Sequence, residues 1–186
     1  MGILAKAAIA DAARNEDAYL HEIASMAARI DLVPEAKLGA PFKGIIRTGL
    51  NYRGSGIVVV QWSMEPGLTY PPHNHPRYNG ITFGIDGECR IRNFTPVGDL
   101  PEMGTKAEFE VRETQDQVLV AGRVVSVMST EHDNIHPLRT FSKPVRGIDV
   151  MTLLGPHIGF SFLEIDEKSR HGDEIYDARW GERMAK

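Results

Sequence analysis

A chain of 186 residues, 42% hydrophobic and 25% charged, has the make-up of one globular domain with room for a real core, and no second full domain is expected. Its net charge of −4 comes with Lys and Arg scattered along the chain, which argues against a nucleic-acid or anionic-membrane surface and for a small-molecule or protein partner. The single cysteine, Cys89, excludes an internal disulfide or a Cys-based zinc cluster; "ILAKAAIADAA", broken by Lys6 and Asp11, makes a poor signal peptide, and no apolar run has membrane-spanning length, so a cytoplasmic protein is expected.

Residues 3 to 31 read as helix, Ala-rich and with Ile9, Ala12, Leu20, Ile23, Met26, Ala27 and Ile30 near helical spacing; Pro34 closes the region. This N-terminal helical segment, 1–35, is free to cover one face of the domain or to pair with a second copy of the chain in a homodimer. From about residue 44 the texture changes to short runs rich in Val, Ile, Phe and Thr between Gly, Pro, Asp and Asn. Strands are predicted over 56–64, 78–85, 89–94, 107–113, 117–121, 123–129, 145–154 and 158–165. So many short strands with no helix between them predict a mainly β fold, a closed barrel or jelly roll spanning 44–165. "TPVGDLPEMGT" (95–105) reads as a loop, and the charged tail, 166–186, as a short helix, a docking arm or disorder.

One stretch stands out, "PGLTYPPHNHPRYNG" (66–80). On an extended segment side chains alternate faces, so His73 and His75 aim the same way while Asn74 points away. That placement suits a metal, although a His-x-His pair in a Pro-rich turn is a short motif by itself. A third ligand has to come from elsewhere, and His136 in "STEHDNIHPLRT" is the best candidate. His132 lies four residues earlier, at a turn suggested by Asp133 and Asn134.

The segments "EPGLTYPPHNHP" (65–76), "GITFGIDGECRIRNF" (80–94), "EHDNIHPL" (131–138) and "GIDVMTLLGP" (147–156) together resemble the two motifs of the cupin superfamily, small β-barrels that hold a metal at their centre. Where many cupins place a glutamate ligand after the second histidine, this chain has Asn79 and Gly80. Three imidazoles without a carboxylate are similar to the site of the thiol dioxygenases, and within them the plant cysteine oxidases and cysteamine dioxygenase look nearest; cysteine dioxygenase is more distant. The resemblance covers roughly residues 56 to 156. It implies a single cupin-type double-stranded β-helix (jelly-roll) barrel with an N-terminal helical segment, with His73, His75 and His136 as ligands of Fe(II), though zinc or another divalent ion also suits three imidazoles.

The resemblance further implies a dioxygenase that uses O2 to convert a small or peptidyl thiol to its sulfinic acid. Asp149, thirteen residues past His136, falls where such enzymes carry an aspartate near the metal; counted back from "LLGP", Thr152 takes that place instead. Gly80 occupies the position of a cysteine that some cysteine dioxygenases crosslink to a tyrosine, which Cys89 cannot replace, and no Ser-His-Tyr set is found. Tyr70 and Tyr78 flank the histidine pair, to hydrogen-bond O2 or substrate or simply to pack. Arg77 is a candidate for steering an anionic substrate, and Arg47 and Arg53 lie where some thiol dioxygenases bind a carboxylate. His157 is a loop residue within conceivable reach, His21 and His171 have no partners in the sequence, and Trp62 reads as core. Two alternatives stay open: the same site acting on a carbon acid such as a β-diketone, and a cupin that binds metal or ligand without turnover.

Overall fold

The computed structural model describes residues 14–29, 33–122, 125–156 and 159–184. The expected early part of the helix, with Ile9 and Ala12, its last residues, with Ile30, and the loop residue His157 lie outside these. Helix α1 (Glu16–Ala27) is followed by eleven strands: β1 (Ile46–Gly54), β2 (Ile57–Met64), β3 (Thr69–Asn74), β4 (Tyr78–Asp86), β5 (Glu88–Val97), β6 (Glu108–Val120), β7 (Val125–Met128), β8 (Ile135–Thr140), β9 (Val145–Leu153), β10 (Phe160–Ile165) and β11 (Ile175–Met184).

The strands form two antiparallel sets: a five-stranded sheet in the order β1-β2-β9-β4-β7, and β10-β11-β6-β5-β8-β3, closed on itself through β3 and β10. Ile46, Trp62, Met64 and Val145 from the first set meet Tyr70, Ile91, Leu119, Leu138 and Phe162 from the second in one buried cluster, so the two sets face each other as a double-stranded β-helix. A second cluster, around Phe94, Val111, Leu163, Tyr176 and Trp180, fills the closed set. The outer face of the five-stranded sheet (Ile81, Phe83, Ile148) is covered by Leu20 and Ala27 of α1. Glu16 and Asp17 occupy the first turn of α1, where the helix dipole favours negative charge. The Glu16 carboxylate also accepts hydrogen bonds from the N–H and hydroxyl of Thr130, each 2.9 Å. Met26, counted on the apolar stripe, is in fact 48% exposed.

Three expectations are corrected. The predicted strands 107–113 and 117–121 are one continuous strand, β6. Strands β1, β3 and β8 were not foreseen; β3 carries Pro71 and Pro72, which lack the N–H a ladder uses, and its register with β8 breaks between Tyr70 and His73. The charged tail supplies β11, in which Tyr176, Ala178 and Trp180 point inward between exposed Asp177 and Arg179. Arg92 braces that strand. It pairs with Glu113 and Glu167 and lies over the rings of Phe94 (4.8 Å) and Tyr176 (5.5 Å).

Gly147 of β9 is the register partner of Trp62 in β2, and a Cβ there would stand 2.1 Å from the indole. Gly147→Ala is therefore expected to destabilise the fold by roughly 1–3 kcal/mol through overpacking. A urea denaturation midpoint lowered at constant slope would show it; an unchanged midpoint would mean that the indole has room to move.

Candidate metal centre

The Pro71-Pro72 step that interrupts β3 helps to orient the first histidine. His73 Nδ1 lies 3.0 Å from the Pro71 carbonyl, an N–H donor geometry that leaves Nε2 for another partner. Its register partner across the ladder is His136 of β8, so two of the three rings meet as a cross-strand pair. His75 follows one residue past the end of β3, in a turn where its own carbonyl accepts from the Tyr78 N–H. The three ring centroids form a nearly equilateral triangle with sides of 4.7, 4.8 and 4.9 Å. One ring nitrogen from each lies within 4.8 Å of the other two.

Electrostatics keeps these rings neutral. Burial holds His73 down at about 4, and it holds His75 and His136 well below the ordinary imidazole value, with mutual repulsion among the rings adding to it. Nε2 of His75 and Nδ1 of His136 are buried with no hydrogen-bond partner. Leaving such atoms unpaired costs about 1–3 kcal/mol each. Three neutral imidazoles, two of them with an unsatisfied buried nitrogen, fit a divalent metal ion, which needs lone pairs and supplies the missing partner.

His73 and His75 border a cavity of about 230 Å³ between the two sets of strands. Its walls are largely apolar and aromatic: Ile46, Trp62, Tyr70, Tyr78, Met151 and Phe160, with Thr48 at the edge. Facing the histidines from the five-stranded sheet is Asp149, the one carboxylate among the lining residues. Its Oδ1 accepts from Thr82 Oγ1 (2.7 Å) and Trp62 Nε1 (3.1 Å). Burial nevertheless pushes the carboxyl up to about 6, the two hydrogen bonds opposing the rise. Burial, with Asp149 adding to it, also raises the Tyr70 phenol above its ordinary range, so it remains a hydrogen-bond donor at all ordinary pH values. The Tyr78 phenol is raised by burial as well, against the nearby charge of Arg53.

The other candidates divide clearly. Thr152, the competing position for Asp149, faces the opposite side of β9, where its hydroxyl meets that of Tyr19 at 2.5 Å. Asn79, its register partner in β4, is fully buried on that same side and takes no part in the cluster. None of the three arginines lines the cavity. Arg47 is exposed, with a guanidinium N–H 3.5 Å from the Gly39 carbonyl, Arg77 sits on an exposed turn at φ 65°, and Arg53 is exposed near the rim. The substrate-binding role expected of them thus finds no geometric support, because β1 carries Arg47 on its outer side and the tight turn throws Arg77 outward. His132 is exposed in its turn, and His171 pairs with Glu110 on the surface, 3.2 Å away. A Cβ at Gly80 would stand 2.4 Å from the Val150 carbonyl, so close strand packing leaves no room for a crosslinking cysteine. Cys89 is buried in the core, its thiol pushed up to about 12, mainly by burial. Trp62, Thr82 and Asn134 are the residues to which sequence reading gave no part in the site, although Thr82, in "GITF", and Asn134, in "DNIH", lay within segments already singled out.

Fold and site together define a double-stranded β-helix barrel with a three-histidine candidate metal centre. No family model matches the chain, and no curated protein matches it. Solved structures do: KdgF from Halomonas sp. at 15% identity over 63% of this chain and 86% of its own, TM-score 0.44. A recombinant oxalate oxidase in complex with glycolate is 19% identical over 74% of this chain and 67% of its own, TM-score 0.48. The DMSP lyase DddQ from Ruegeria pomeroyi DSS-3 is 20% identical over 63% of this chain, TM-score 0.42, and the chain spans 51% of that protein's length. Likeness at this level says nothing of chemistry, which has to be read from the residues of this chain. Among the described residues no helix is long and apolar enough to cross a membrane.

Proposed function

We propose that this protein is an Fe(II)-dependent dioxygenase that converts a thiol to its sulfinic acid, with a preference for a small or peptidyl thiol that also carries an amine. The observation that carries this is the pairing of three neutral imidazoles, with no carboxylate among them, and a single carboxylate on the facing wall of an apolar cavity. His73, His75 and His136 would hold the iron, which when bound supplies a redox centre with positions open to a thiolate and to O2. The overall change balances as R–SH plus O2 giving R–SO2H. Asp149, ionised above about pH 6, receives the substrate ammonium and fixes the direction in which the thiol enters. The Tyr70 hydroxyl supplies a donor at the cavity wall, and Phe160 and Trp62 keep water from the reacting groups. A carboxylate-bearing thiol finds no arginine among the lining residues.

A second reading has one observation in its favour. A carboxyl near 6 inside an apolar cavity is also suited to removing a proton from a carbon acid such as a β-diketone. Oxygen uptake by the iron-loaded protein separates the two. Cysteamine is expected to stimulate uptake at least about tenfold more, in kcat/KM, than 3-mercaptopropionate, the scale of one charge-assisted hydrogen bond. Uptake with a diketone and none with any thiol would replace the thiol reading, and zinc retained with no uptake after iron loading would favour a binding protein without turnover.

A further inference from the structure

We infer that Asn134 is the positioning residue of the metal centre: its side-chain amide, in place of the sheet ladder, sets the backbone of His75. This rests on the metal-centre reading above. The register His73↔His136, Asn74↔Ile135 would next set Asn134 opposite His75, but the strands end there. Where a backbone pair would have continued the ladder, the side chain of Asn134 takes over. Its Oδ1 accepts the His75 N–H at 2.8 Å, and its Nδ2 lies 3.1 Å from the His75 carbonyl. The same nitrogen reaches the carbonyls of Tyr78 (3.3 Å) and Ser129 (2.8 Å), joining the turn that carries His75 to the turn that leads into β8.

Both backbone groups of one ligand are therefore bound to one side chain, itself buried and two residues from another ligand. Without it His75, between Asn74 and Pro76, would be held only by the Tyr78 N–H on its carbonyl, leaving its own N–H and the Asn74–His75 step without a partner. Asparagine alone suits the place. It offers acceptor and donors together at this reach, whereas aspartate would set a negative charge against three carbonyls and an apolar residue would leave the His75 N–H unpaired and its carbonyl with the Tyr78 N–H alone.

The test is a double-mutant cycle read by Co(II) titration of the metal-free full chain, monitored by the visible absorption of the bound ion. All variants carry His171→Ala, which removes the exposed Glu110–His171–Asp177 group as a competing site. Asn134→Ala is expected to weaken Co(II) binding about 10–100-fold, the usual effect of losing an outer-shell partner. His75→Ala weakens it further, and adding Asn134→Ala to His75→Ala then changes affinity by less than about threefold, because Asn134 acts through His75. An equal loss with and without His75, or no loss in Asn134→Ala, overturns the inference. Unchanged affinity in His75→Ala overturns the metal-centre reading itself. If Asn134→Ala does not fold, Asn134→Asp carries the same expectation, and the native chain supplies an independent check. There the His75 amide should exchange with solvent as slowly as a strand amide although it lies past β3, and exchange at open-loop rates overturns the clamp.

Discussion

His136→Ala is expected to purify with less than about a tenth of an equivalent of iron, where the native chain holds close to one, and to consume O2 no faster than the blank. Two imidazoles remain after the change, and the affinity of a metal site falls steeply when one of three protein ligands is removed. His136 is only 2% exposed and is the register partner of His73, so its ring is fixed against the other two by the ladder. The nearest histidine along the chain, His132, is exposed in its turn. The metal-free protein should tolerate the change well, since it removes a buried ring nitrogen that has no partner. The contrast to measure is the thermal midpoint with and without metal. An ion at a hundredfold excess over its Kd stabilises the native chain by about 2.7 kcal/mol, and this increment should vanish in the variant. Iron retained at one equivalent would remove the three-histidine centre from consideration.

Asp149→Asn should lower kcat/KM for an aminothiol by roughly 10–100-fold, the worth of a charge-assisted hydrogen bond, while leaving iron content unchanged. The native profile should rise with pH through about 6 as the carboxyl ionises, and the variant should lose this rise. Stability should move the other way. A carboxyl raised from 3.8 to about 6 holds its proton more tightly in the folded chain than in the unfolded one, so ionising it works against the fold. The penalty is absent below about pH 4, grows as pH rises toward 6 and is then constant, on the order of 3 kcal/mol at neutral pH. Asparagine keeps an acceptor for Thr82 and Trp62 without the charge, so the metal-free variant should be more stable than the native chain at pH 7 and about equally stable at pH 4. Denaturation curves at the two values check this; a variant that is less stable at pH 7, or as active with the aminothiol, would assign Asp149 a structural role.

A site less stable than its neutral counterpart, the outcome expected for Asp149→Asn, is the usual cost of building function into a fold. The same holds for the histidines, three rings buried together at an energetic cost that only a further partner relieves. Both features lie between the two sheets, where the apolar walls that raise the carboxyl also exclude water.

Much of this was legible in the residues alone. Short β-rich runs separated by Gly, Pro and Asn determine a β-barrel, because period-2 patterning and turn chemistry are local. The i, i+2 spacing of His73 and His75 places them on one side of the chain for the same reason. Even β11 had its signal, Tyr176, Ala178 and Trp180 alternating with charged neighbours, masked by the high charge of the tail. What only the tertiary structure decided depends on pairing between distant segments. The break at Pro71-Pro72 and the register of β3 with β8 bring His136 against His73. Register likewise turns Asp149, and not Thr152, into the cavity and Arg47 out of it, while the turn after His75 carries Arg77 outward. A one-residue shift in pairing reverses which face a side chain occupies, and that shift is set by contacts made far away in the chain.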